Sequence, residues 1–124
     1  MFVLPKRKTL TEWIEIQKGV KIKVDYPKGD QIHELQNIMA DSKGSTSGMY
    51  NYARLYLKYT LKDWQGLLSA TNEKDEVVAV ECKLNGNQLD DDLWYSLTTD
   101  HTGTITLFNL VDEELRWVNQ DKKK

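Results

Sequence analysis

The sequence predicts an α+β fold in which an N-terminal antiparallel β-hairpin and a third strand pack against about four helices. Three observations predict it. Val20, Ile22, Val24 and Tyr26 alternate strictly with Lys21, Lys23 and Asp25, the period-two pattern of a half-buried strand. Around residues 32–39, 49–59 and 105–118 the apolar side chains instead recur at three and four, the spacing of one helix face. At 124 residues, 40% apolar and 29% charged with two prolines, the chain has the length and composition of one packed domain over residues 1–124.

The elements follow in order. Ile14 and Ile16 share one face ahead of Lys18-Gly19, whose glycine is free to take positive φ, so these residues and the Val20 to Tyr26 strand form the opening hairpin. Pro27-Lys28-Gly29 ends the strand. Asp30 is a suitable N-cap for a first helix from about Gln31 to Ala40, with Ile32, Leu35, Ile38 and Met39 on its apolar side. Asp41 to Gly48 is small, polar and glycine-flanked, which predicts a mobile connection. From Met49 to Leu61 two patterns compete. Met49, Tyr52, Ala53, Tyr56 and Tyr59 form a helical stripe, whereas Leu55, Leu57, Tyr59 and Leu61 alternate, and a length of about 12 residues without Gly or Pro favours the helix.

Trp64-Gln65-Gly66-Leu67 breaks that helix. Trp64 is expected to be buried and Gly66 to turn the chain at positive φ. The polar run Asn72 to Glu76 leads to a third strand at Val77 to Leu84, with Val78, Val80, Cys82 and Leu84 on one face and a turn at Asn85-Gly86. Asp90 then caps a short helix to about Leu97, with Asp91 and Asp92 near the positive end of its dipole. After Thr98 to Gly103, the stripe Ile105, Phe108, Val111, Leu115 and Val118 marks a last helix, followed by a short basic tail at residues 120–124.

Charge and composition narrow the function classes. A net charge of -2 and two short basic clusters, Lys6-Arg7-Lys8 and the terminal lysines, supply no field for a polyanion, so nucleic acid is not expected as a partner. No run approaches the ~20 apolar residues that cross a bilayer, so no membrane is expected. The lone Cys82 and the start Met1-Phe2-Val3-Leu4-Pro5 read as a cytoplasmic protein.

Chemistry-bearing residues are sparse. His33 on a helix and His101 in a loop are the histidine candidates for a general base, and no elbow or cysteine signature surrounds a nucleophile. Asp90-Asp91-Asp92 lacks the alternating ligands and glycine of a calcium loop. The expectation is therefore no enzyme, no metal and no cofactor. The four Trp and six Tyr stand out, because aromatic side chains anchor protein interfaces at little entropic cost. Tyr50, Tyr52, Tyr56, Phe108 and Trp117 are the candidate partner-binding residues, with Trp64, Gly66, Asp30 and Asp90 in structural roles.

Tyr56-Leu57-Lys58-Tyr59-Thr60-Leu61-Lys62-Asp63-Trp64-Gln65-Gly66-Leu67 resembles a segment of the tail assembly chaperones of long-tailed bacteriophages, where a helix runs into a V-x-D-W-x-G-L-like stretch before a polar turn. The resemblance implies a non-catalytic assembly factor that covers apolar helices of the tape measure protein and engages tail tube subunits. A structural virion component, such as a head-to-tail connector or tail protein, is the alternative. Either reading permits a homo-oligomer.

Overall fold

The computed structural model describes residues 13–42 and 45–120, with the side chains of Ser42 and of residues 116–120 left aside. The fold is α+β, with four helices and a three-stranded antiparallel sheet that begins in the predicted hairpin. Strand β1 (Ile14–Gln17) turns through Gly19 at φ +81° into β2 (Val20–Val24). Ile22 and Val24 are buried, as the alternation requires.

The third strand of the sheet lies elsewhere than expected. It is β3 (Leu61–Gln65), paired antiparallel with β2 so that Ile22 faces Trp64 and Val24 faces Leu61. Of the stretch expected to break the helix, Trp64 and Gln65 thus belong to a strand, and Gly66 and Leu67 bend away after it. The register shifts between Lys23 and Val24, leaving Lys62 as an extra residue. A bulge of this kind puts Leu61 and Trp64, three apart, on the same buried face, and so hides the period-two signature of the strand. Gly66 closes the strand at φ +74°. A Cβ there would collide with the Gly19 carbonyl oxygen of the hairpin turn, so both the dihedral and the close approach require glycine.

Val77 to Leu84 is correspondingly not a core strand. Its first three residues form β5 (Val77–Ala79), paired with β4 (Ser69–Thr71), and every residue of this ribbon is exposed. The ladder stops at Val80, whose carbonyl accepts the Trp64 indole Nε1–H at 2.7 Å. A second short hairpin, β6 (Leu84–Asn85) and β7 (Gln88–Leu89), turns through Gly86 at φ +69° and buries Leu89 completely.

Helix α1 (Gly29–Ser42) begins earlier than predicted, and Asp30 is not its cap. Lys28 holds that position. Its carbonyl accepts from Ile32 N–H and its own N–H donates to Gln31 Oε1, both at 2.8 Å, so a glutamine three residues on replaces an aspartate cap. Asp30 sits in the first turn, where its charge complements the dipole. Helix α2 (Thr46–Thr60) also starts early, because Ser45 Oγ accepts from Gly48 N–H at 3.0 Å. The polar run at 41–48 is therefore largely helix end and helix cap, with residues 43 and 44 outside the described part.

Helix α3 (Asp91–Leu97) is capped by Asp90, as expected, through Leu93 N–H. Helix α4 (His101–Gln120) begins ahead of its predicted start and places His101 in its first turn rather than in a loop. Its inward stripe is Thr104, Leu107, Val111 and Leu115, while Ile105 and Phe108 are half-buried. Helix α2 packs between α1 and α4, and its Tyr56, Leu57 and Tyr59 meet Leu35, Leu107 and Val111 over the sheet residues Ile22, Val24, Leu61 and Trp64. Of the expected tail at 120–124, Gln120 ends α4, while residues 121–124 and the cluster Lys6-Arg7-Lys8 lie outside the described residues.

Candidate functional site

The aromatic residues separate into two groups on different sides of α2. On the side facing α4, Tyr52 and Tyr56 stack at 6.0 Å between centroids, and Phe108 meets both edge-on at 5.8 and 4.9 Å. The Tyr56 hydroxyl donates to Asp112 Oδ1 at 3.3 Å. Burial, and then the Asp112 charge, push both phenols above their ordinary pKa, Tyr56 far above it. Tyr59, on the α1 side, is buried likewise and donates to Glu34 Oε2. Of the expected partner-binding residues, Tyr56 is thus core at 7% exposure, and Tyr52 and Phe108 are half-buried against it. The aromatic stripe is a helix–helix contact. The Trp117 side chain lies outside the described part.

The second group surrounds Arg54. Tyr50, Arg54 and Lys58 follow one another at intervals of four along α2, so they form one ridge. Helix α3 lies against that ridge and brings Trp94, Tyr95 and Thr98. The Trp94 indole N–H donates to the Arg54 carbonyl at 2.7 Å, which fixes the ring on α2. The guanidinium carbon then sits 4.7 Å from the Trp94 ring centroid, 5.5 Å from Tyr95 and 5.6 Å from Tyr50. Arg54 Nε donates to Thr98 Oγ1 at 3.1 Å, and the Tyr50 hydroxyl donates to the Thr98 carbonyl. His101 stacks on Tyr50 at 4.4 Å. Lys58 lies 4.5 Å from the Trp94 centroid and pairs with Asp91 at 2.9 Å.

Beside this cluster runs a groove of about 450 Å³ formed by the end of α1, the first half of α2 and Trp94. Ile38, Leu55 and Trp94 supply apolar walls, Asn51 and Arg54 supply donors, and Asp41 stands on the α1 side. The helices that build it also expose apolar side chains, Ile32 and Met39 on α1 and Met49 on α2, while Tyr95 on α3 is 62% exposed. Of the expected partner-binding residues whose side chains are described, only Tyr50 belongs to the Arg54 cluster. Arg54, Lys58, Trp94 and Tyr95 were missed. The signal in the sequence was a cation at i+4 and i+8 from Tyr50 and the adjacent pair Trp94-Tyr95, but only the docking of α3 joins them.

The chain matches no family model, and neither a curated protein nor a solved structure matches it. Its chemistry rests on its own geometry.

Elsewhere, His33 is exposed on α1, and no hydrogen bond among the described residues joins a histidine to a serine, cysteine or carboxylate. Cys82 is half-buried against the core, and burial, reinforced by Asp63, pushes its thiol from 9.0 to about 11, away from the thiolate form. Among the described residues no group of three His, Cys, Asp or Glu is placed to hold a metal ion. No described helix is long and apolar enough to cross a membrane.

Proposed function

We propose that this chain is a non-catalytic, protein-binding assembly factor that acts in the cytoplasm and covers apolar helices of a partner, as the resemblance to tail assembly chaperones implies for the tape measure protein. The observation that carries the reading is the groove between α1, α2 and α3, with apolar walls, an aromatic and arginine rim and exposed Ile32, Met39, Met49 and Tyr95 on the helices around it. Trp94 and Arg54 line this depression, and Trp and Arg are among the side chains that contribute most at protein interfaces. An amphipathic helix laid into such a depression hides its apolar stripe from water, which is the protection an aggregation-prone helical protein needs during assembly.

Co-expression tests the proposal. A tape measure protein produced with this chain should shift from the insoluble to the soluble fraction and elute with it in gel filtration. An unchanged soluble fraction, with the two proteins eluting apart, would overturn it.

A further inference from the structure

The groove holds a cation that no described carboxylate neutralises. Lys58 is paired with Asp91, whereas Arg54 has no carboxylate partner among the described residues. Asp41 stands on the same groove without pairing to it. Three rings and Thr98 hold the guanidinium instead, and they use only its Nε–H, so the Nη groups make no hydrogen bond among the described residues. A guanidinium is a planar fork whose parallel N–H groups match a carboxylate, and a fork already immobilised loses little entropy when it engages one. Neighbouring aromatic faces also exclude water from it, which strengthens attraction to an acid.

We propose that this groove takes an apolar helical segment of a partner protein bearing one acidic side chain, whose carboxylate is read by Arg54 while aliphatic neighbours lie on Ile38, Leu55 and Trp94. The proposal rests on the protein-binding reading and deepens it: the groove selects charge as well as covering apolar surface. Asp41 sets the polarity, since it repels a second acid at the α1 side and leaves the first to accept from Arg54.

The test uses the full chain and two short amphipathic peptides of Leu, Ala and Gln that are identical except for one Glu or Gln beside the apolar stripe. Fluorescence anisotropy should show the Glu peptide binding on the order of tenfold more tightly than the Gln peptide, as a charge-assisted hydrogen bond gives. That preference should fade with added salt and disappear in Arg54→Gln. Because the two peptides are compared on the unaltered protein, the test stands even if the variant is poorly folded. Equal affinity for both peptides overturns the charge-reading role while leaving the protein-binding reading intact. Binding of neither peptide overturns it too, and the co-expression experiment then decides the protein-binding reading separately. A concentration-dependent dimer in sedimentation that Arg54→Gln dissociates would make a second copy of this chain the occupant and overturn the proposal as stated.

Discussion

Trp64 ties the exposed ribbon of β4 and β5 to the core, and its replacement separates two contributions. The side chain is 4% exposed in the sheet and sends its N–H to Val80, where the ribbon ends. An aromatic of this kind buries roughly 150–250 Å², which at about 25 cal/mol per Å² corresponds to roughly 4–6 kcal/mol of transfer free energy. Alanine keeps the Cβ but leaves a void beside Ile22 and Leu61, so Trp64→Ala is expected to cost ~3–5 kcal/mol. For a domain of this size each kcal/mol moves the midpoint by about 3–5 °C, giving a fall of roughly 9–25 °C by circular dichroism.

Trp64→Phe keeps much of the apolar area while removing the donor and part of the ring, so it should cost about 1–3 kcal/mol, less than Trp64→Ala. Its effect should be local. Amide exchange should accelerate at Ser69–Thr71 and Val77–Ala79, because a two-stranded ribbon with no buried face holds little stability of its own. A Trp64→Ala protein melting within about 2 °C of the parent would refute the packing argument. Unchanged ribbon exchange in Trp64→Phe would refute the tether.

Two further outcomes follow from the turn at Gly66 and from the buried phenols of Tyr56 and Tyr59. Gly66→Ala should destabilise by more than about 1 kcal/mol in urea titration, since the positive φ and the contact with the Gly19 carbonyl both oppose a side chain; an unchanged midpoint would mean that the hairpin turn moves away freely. Burial and the neighbouring Asp112 and Glu34 raise the pKa of Tyr56 and Tyr59 in the folded state, so their contribution is fully present below about pH 10, where the unfolded tyrosines titrate, and is lost as pH rises further. The chain should therefore unfold in alkali with a steep dependence that Tyr56→Phe with Tyr59→Phe flattens, and equal slopes in the two proteins would contradict this.

The hairpin, the capped α3 and the last helix were legible because each carries its own local signal: alternation from Val20, the Asp90 cap, and the three-and-four spacing from Ile105. The sheet's third strand was not. Its pairing with β2 is set by a bulge at Lys62, and a bulge removes the very periodicity by which strands are read. The Val77 to Leu84 segment shows the converse error. Its alternation is clean, but periodicity states only that a strand would have an apolar face, and the partner needed to bury that face is a three-residue strand with no core beneath it. Helix α2 was ambiguous for a third reason. It is covered by α1, α4 and β7 on different sides, so apolar residues occur nearly all round it and no single face stands out.

The same surrounding explains why Tyr52 and Tyr56, expected at an interface, pack in and against the core. Aromatic density along Tyr50 to Tyr59 carries no direction, and in a helix with several neighbours each ring faces whichever one its position dictates. Tyr52 and Tyr56 face α4, meet Phe108, and use their surface in the core. Tyr50 faces the other way, and what distinguishes it in the sequence is the company of cations, Arg54 and Lys58 at successive turns. A core cannot accommodate a guanidinium without a buried acid, so a ridge of Tyr, Arg and Lys must lie at a boundary with water or with a partner. The helix thereby uses one group of aromatic rings to close the fold and another to hold Arg54 in place beside the groove.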